Sequence, residues 1–211
     1  MTIIILPSTV NVNNNIECLF QKNTNDRIQT YLRSVLQWLH KTNFKIILVE
    51  NSGYNFDELN NEKELYKDRF EVITFKQNEL ESAQYLKNNI SKGASEIYAI
   101  NYGYYYSKMI KSDEFIIKVT ARFFINELEE YLNQFDLNNY DCLTQQDRDR
   151  CELLGCHPKN FEYIFDVNIP ERHIENVWKN RTSRYNNILI CKTFIIEETQ
   201  RGGMNEKYNN I

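Results

Sequence analysis

Short apolar runs alternate with longer amphipathic segments along the first 125 residues. Ile3 to Leu6 is the first run, closed by Pro7-Ser8-Thr9 and a polar loop from Asn11 to Asn15. Asn25 or Asp26 can cap a helix in which Ile28, Leu32, Val35, Leu36 and Leu39 keep helical spacing. Lys45 to Val49 is a second two-sided apolar run, ended by Glu50-Asn51-Ser52-Gly53. A charged helix is predicted over Asp57 to Asp68 and a third strand over Phe70 to Phe75. Glu79 to about Lys111 reads as mostly helical, with a break near Ser91-Lys92-Gly93. The fourth strand lies in Asp113 to Ile125, DEFIIKVTARFFI, whose β-branched and aromatic first half suits burial on both faces. Strands alternating with helices imply right-handed βαβ units and a largely parallel sheet.

The second half is less periodic. Leu128 to Leu132 reads as a short helix, Tyr140 to Thr144 and Phe161 to Val167 as strands, Arg172 to Trp178 as a helix and Asn187 to Ile196 as strand-like. Without a repeat or a linker, the expectation is a single domain over 1–211, with residues 1–125 as a nucleotide-binding half and 126–211 as an acceptor and metal half.

Composition narrows the partners. A net charge of −4 gives no basic footprint for nucleic acid. No apolar run reaches the roughly 18 residues needed to span a bilayer. The start MTIIILPSTV lacks the cationic region of a signal peptide. Five cysteines without a CxxC pair read as reduced thiols, so a cytoplasmic setting is expected. The sequons at Asn89 and Asn180 fit chance in an asparagine-rich chain.

Candidate chemistry gathers at strand ends. Lys118, Thr120 and Arg122 follow a buried run, where cations are costly without a partner. Ligands of open α/β sheets bind outside the carboxyl ends of the strands, so an anion is expected there; the alternative is a hydrated strand end. Lys92 and Gly93 lead into a helix start whose N–H groups suit a phosphate, or form a plain joint between helices. Tyr98, Tyr102, Tyr105 and Tyr106 have the spacing of core packing, with base stacking as the other reading. Asp147-Arg148-Asp149 is the sole D-x-D and can hold Mn²⁺ or Mg²⁺, form surface ion pairs, or bind an acceptor. Arg201, before Gly202-Gly203, can clamp a phosphate from a flexible flap, or belong to a fraying tail. Dehydrogenase glycine fingerprints, a Walker loop, HExxH and G-x-S-x-G are all missing.

Lys92-Gly93-Ala94-Ser95-Glu96, a tyrosine-rich helix, and the run from Asp113 to Phe124 occur in that order. This ordered set resembles viral and bacterial glycosyltransferases of the GT-A type. Over essentially its whole length the chain is similar to the N-terminal domain of the multi-domain glycosyltransferase of chlorella viruses, a group that builds capsid-protein glycans. The resemblance implies an α/β, GT-A-like fold: a mixed, mostly parallel central sheet flanked by helices. It implies a UDP-sugar donor carrying glucose or rhamnose, a glycan acceptor, Mn²⁺ or Mg²⁺, further domains of a larger chain, and host cytoplasm. The uridine would lie on Pro7, Ser8, Thr9 and Asn51, and the diphosphate near Lys92, Gly93, Lys118, Thr120, Arg122 and Arg201. A base for the acceptor hydroxyl would come from Asp147, Asp149, Glu197, Glu198 or Glu206. One departure stands out: GT-A enzymes commonly carry D-x-D after the fourth strand, where this chain has Thr120-Ala121-Arg122. A non-catalytic nucleotide-sugar or glycan-binding domain is therefore a rival, and a nucleotidyltransferase a third reading.

Overall fold

The computed structural model describes residues 2–12, 19–89, 91, 93–147, 149–201 and 205–211. Its first strand, β1 (Thr2–Ser8), is followed by α1 (Thr24–Lys41), β2 (Lys45–Glu50), α2 (Asn60–Leu65), β3 (Phe70–Thr74), α3 (Gly93–Tyr106) and β4 (Phe115–Val119). The second half holds α4 (Leu128–Leu132), β5 (Cys142–Thr144), β6 (Leu153–Cys156), α5 (Pro158–Ile164), α6 (Ile174–Thr182), β7 (Ile188–Ile190), β8 (Ile195–Gln200) and β9 (Lys207–Asn210). Seven strands form one sheet in the order β3-β2-β1-β4-β6-β5-β7, and β8 with β9 forms a separate hairpin. All neighbours in the large sheet are parallel except β6, which runs against both β4 and β5.

The two-sided apolar runs sort by strand alternation. Ile4, Leu6, Leu48 and Ile117 face a layer containing Trp38 of α1, while Ile3, Ile5, Ile47 and Ile116 face α3, α5 and α6 through Ile97, Ile100, Phe161 and Trp178. The N-cap of α1 is Asn23, whose side chain accepts from Asp26 N, two residues before Asn25 and three before Asp26, the expected caps. Ser34 Oγ and Trp38 Nε1 both donate to Phe123 O, at 2.8 and 2.9 Å, tying α1 to the turn after β4.

Several expected elements differ. Phe161–Val167 is not a strand: Pro158 starts α5, and Phe161, Ile164 and Phe165 recur at helical spacing against the core. The strand beside β4 is instead Leu153-Leu154-Gly155-Cys156, too short and too glycine-marked to stand out. Of the helix expected over Asp57–Asp68, only Asn60–Leu65 is α-helical, preceded by a 3-10 turn. Residues 77–79 and 81–88 form 3-10 turns, and α3 stops at Tyr106. Asn187–Ile196 divides into β7 and the start of β8, and of the expected flap Arg201 follows the end of β8 while Gly202-Gly203 lie outside the described residues. The helix predicted over Arg172–Trp178 starts at Ile174 and runs on to Thr182.

Helix α3 approaches the sheet closely at Gly103, where an added Cβ would lie 2.4 Å from Val49 Cγ2. Alanine normally gains about 1 kcal/mol over glycine inside a helix. Overpacking a well-filled core costs about 1–3 kcal/mol, and the fully buried Val49 has no room to yield. Gly103→Ala should therefore lower unfolding free energy by about 1 kcal/mol in a denaturant titration, and Val49→Ala in the same chain should relieve the clash.

Candidate active site

The carboxyl ends of β1 and β2 are joined by a carboxylate without solvent exposure. Glu50 Oε1 accepts from Val10 N at 2.8 Å and from Ser52 Oγ at 2.5 Å. Its Oε2 accepts from Ser52 N at 2.9 Å and from Tyr54 N at 2.8 Å. Four donors offset the cost of removing this charge from water. Beside it, Thr9 Oγ1 donates to Asn51 Oδ1 at 2.7 Å, and Asn51 Nδ2 donates to Gln77 Oε1 and Ser95 Oγ at 3.0 and 3.1 Å. Side chains from β1, β2, the turn after β3 and the first turn of α3 thus form one network. Thr9 and Asn51, both singled out at strand ends, sit in it. Pro7 and Ser8 are built into the sheet: Pro7 O accepts from Ala121 N at 3.3 Å, and Ser8 Oγ donates to Val49 O at 3.0 Å. Gln77 and Ser95 escaped the sequence reading because neither follows an apolar run directly.

At β4 the cations separate. Lys118 is completely buried on the α3 side of the sheet. Its ammonium pairs with Glu96 Oε1 at 2.9 Å, donates to Cys151 O at 2.5 Å, and lies 5.0 Å from the centre of the Trp178 ring. Thr120 Oγ1 donates to the same Glu96 oxygen at 3.2 Å. Burial, the largest single influence, pulls the ammonium pKa down. Glu96, with smaller help from Cys151 and Glu152, outweighs it, and the net direction is upward. A raised lysine pKa contributes stability that is fully present below the ordinary value of 10.5 and lost only as pH climbs through the folded value. Burial also pushes the Cys151 thiol well up, so it is no nucleophile at neutral pH.

Arg122 does not join this group. The strand ends at Val119, and Phe123 N donates to Thr120 O at 3.0 Å in a turn, so the two-residue alternation stops before Arg122. The guanidinium lines a narrow cleft on the α1 side, with Arg33, Ser34, Gln37, Glu197 and Thr199. Its Nε and Nη1 are buried without a hydrogen-bond partner. The expected gathering of Lys118, Thr120 and Arg122 at one strand end is thus corrected: Arg122 lies on the opposite side of the sheet from the other two.

The remaining candidates lie apart. Lys92 falls outside the described residues, as do Arg148 and Gly202-Gly203. Gly93 opens α3 against Ile174, where a Cβ would be 2.4 Å from that side chain. Asp147 is exposed and its Oδ1 accepts from Asp149 N at 3.1 Å, while Asp149 pairs with Lys179 at 2.6 Å. Glu198 pairs with Lys207 at 3.5 Å and Glu197 with Arg33 at 3.1 Å, both on the surface. Arg201 is part of the C-terminal hairpin: its N–H donates to Glu206 O at 2.8 Å and its guanidinium lies 5.0 Å from the Tyr208 ring centre. No group of three His, Cys, Asp or Glu suited to a metal ion occurs among the described residues. The residues present therefore do not make a metal-ligand set, because the D-x-D carboxylates are engaged by a lysine and a backbone N–H.

No family model matches the sequence, and no curated protein is similar to it in sequence. In structure it is similar to a protein from Desulfovibrio desulfuricans G20 assigned as a nucleotide-diphospho-sugar transferase. That pair has 14% identity and a TM-score of 0.51 over 90% of this chain and 79% of the other. It is also similar to the apo form of the bifunctional glycosyltransferase WbbM, at 9% identity and a TM-score of 0.54, over 90% of this chain and 38% of that one. This chain thus spans well under half of WbbM. At such identities the likeness is one of fold. The chain has the GT-A-like fold of nucleotide-diphospho-sugar transferases, a mixed, mostly parallel seven-stranded sheet flanked by helices.

Proposed function

We propose that this chain is a glycosyltransferase that moves a hexosyl or deoxyhexosyl group, glucose or rhamnose, from a UDP-sugar to a glycan acceptor. The observation that carries the reading is the side-chain network joining Thr9, Asn51, Gln77 and Ser95 at the carboxyl ends of β1 to β3. It lies where sheets of this type take a nucleotide. The amide and hydroxyl groups of the network suit the polar edge of a pyrimidine. Next to it, Lys118, Glu96 and Thr120 close the end of β4.

Transfer from a nucleotide diphosphate places negative charge on the leaving group as the glycosidic bond breaks, and fixed positive groups lower that barrier. Arg122 is a cation with unpartnered N–H groups, so it is available to an anion, while Lys118 already neutralises Glu96. Gly93 and Lys92 at the start of α3, and Arg201 in the hairpin, are the further proposed contacts. The acceptor hydroxyl must lose a proton, and Asp147, Asp149 and Glu198 are the proposed bases. The GT-A resemblance implies Mn²⁺ or Mg²⁺ with the diphosphate. Because the carboxylates of the described residues do not assemble a ligand set, none of these roles is routed through the ion. The resemblance to the chlorella virus enzyme extends the proposal to capsid-glycan synthesis in host cytoplasm, within a longer chain.

A thermal-shift series with nucleoside diphosphates tests the donor site, since a ligand that binds only the native state raises the melting temperature. UDP should stabilise the protein more than GDP, and equal shifts would remove the pyrimidine assignment. Mn²⁺ should strengthen the UDP shift; an unchanged shift in EDTA would leave Arg122 and its neighbours as the whole of the charge neutralisation. Slow release of UDP from a UDP-sugar separates a transferase from a binding domain, which would bind the donor and leave it intact.

Arg122→Ala should weaken UDP-sugar binding by roughly 1.5–3 kcal/mol, the range for a hydrogen bond to a charged group. Arg122→Lys should recover only part, because the planar fork is lost. Melting temperature should change little, since Nε and Nη1 have no protein partner to lose. A lower melting temperature with wild-type affinity would place Arg122 in the scaffold.

A further inference from the structure

The tyrosines of α3 differ in what covers them. Tyr98, Tyr102 and Tyr106 recur every fourth residue and so share one stripe of the helix. Tyr102 stacks on Phe75, just after β3, with 3.9 Å between ring centres, and on Tyr106 with 4.3 Å. Two near-parallel rings that close cannot occupy the same side of Tyr102, so Phe75, Tyr102 and Tyr106 form a column. Tyr98 joins it 6.1 Å from Phe75, and Tyr85 lies 6.4 Å from Tyr98. Phe75 is 7% exposed and Tyr106 is 65% exposed. The column therefore has a buried end and an open end. Its inner rings are packing, whereas the outer face of Tyr106 meets only solvent. Tyr85, 42% exposed, is a second open ring beside the same stripe.

An open ring already fixed from behind loses little freedom when a ligand lies on it. The face of an aromatic ring carries the negative part of its quadrupole, which attracts the slightly positive C–H groups of a sugar's apolar face. Charge and shape argue against other ligands. At the outer end of the stripe, Glu71 accepts from Ser107 Oγ at 2.7 Å and from Lys108 N at 3.2 Å. At the inner end, Lys76 pairs with Glu79 at 3.0 Å. Acidic and basic groups are thus mixed along it, without the basic track that a chain of phosphates requires. The exposed aliphatic side chains Leu65, Ile190 and Ile195 lie on α2, β7 and β8, so the stripe offers a protein partner no aliphatic anchor. Position adds a further argument. Tyr98 follows Ser95 by about one helical turn, and Phe75 precedes Gln77 by two residues. Ser95 and Gln77 belong to the network of the proposed donor site. From there the stripe runs roughly 12 Å along α3, from Tyr98 to Tyr106. We propose that it is a stacking platform for a neutral oligosaccharide, lying on Tyr106 and Tyr85. That the oligosaccharide is the acceptor glycan rests on the glycosyltransferase reading above; the platform itself does not.

The test titrates the full chain with maltohexaose, cellohexaose and a rhamnose oligomer by NMR, with melting temperature and UDP affinity measured in parallel. Tyr106→Ala should weaken oligosaccharide binding about fivefold. Tyr106→Phe should bind as the wild type does, because the ring face is kept. Tyr106→Leu keeps apolar area without a ring and should behave like Tyr106→Ala. Melting temperature and UDP affinity should hold in all three, since Tyr106 is a surface residue outside the donor network. The proposal is overturned if none of the oligosaccharides binds the wild-type chain, or if Tyr106→Ala binds them unchanged. Tighter binding of a short oligothymidylate than of any oligosaccharide would make this a platform for bases and overturn it too. So would a sedimentation coefficient that falls in Tyr106→Ala, which would mean that a second copy of the chain covers the stripe. Oligosaccharide binding that depends on Tyr106, in a chain that ignores UDP, would remove the donor reading and leave the platform standing.

Discussion

Everything at the carboxyl end of the central strand is arranged around one ammonium group that has no access to water. Lys118 sits in β4 between Ile117 and Val119, on the face covered by α3. An unpaired charge at that depth would not be tolerated. Glu96 from α3, the Cys151 carbonyl before β6 and the Trp178 ring of α6 must therefore all meet there. One residue thus fixes the placement of three elements distant in sequence. Removing one partner of such a pair is more damaging than never having built it.

The first half of this fold was legible in the sequence, and the physical reason is burial on both faces. Strands such as Ile3–Leu6 and Ile46–Val49 are apolar at every position, which leaves a contiguous signal. β5 and β7 have three residues each and β6 four, so their period is too short to register. Phe161, Ile164 and Phe165 look like a strand only until Pro158 is recognised as a helix start.

The arrangement around the proposed site was only partly legible. Strand ends announced Thr9 and Asn51, whereas Gln77 and Ser95 reach the same network from a 3-10 turn and a helix start. Extending strand alternation past Val119 put Arg122 on the wrong face, because a turn begins at Thr120. The D-x-D motif stayed open between a metal and surface ion pairs for a different cause: spacing alone says nothing of whether a lysine such as Lys179 already holds the carboxylate. Tyrosines 102 and 106 stack on each other, and Tyr102 stacks on Phe75 at 3.9 Å between ring centres, so that stripe is mainly packing.

Glu50 has a thermodynamic consequence. Its two oxygens clamp Val10, Ser52 and Tyr54 through their main-chain N–H groups, so the loops after β1 and β2 share a single anchor. Ordering a flexible backbone costs about 1–2 kcal/mol per residue at the moment of binding. Here that entropy is lost once, during folding, and a molecule arriving at Thr9 and Asn51 finds a rim already set. A ligand held at this edge of the sheet, as proposed above, would have less backbone to order on binding than one held by unanchored loops.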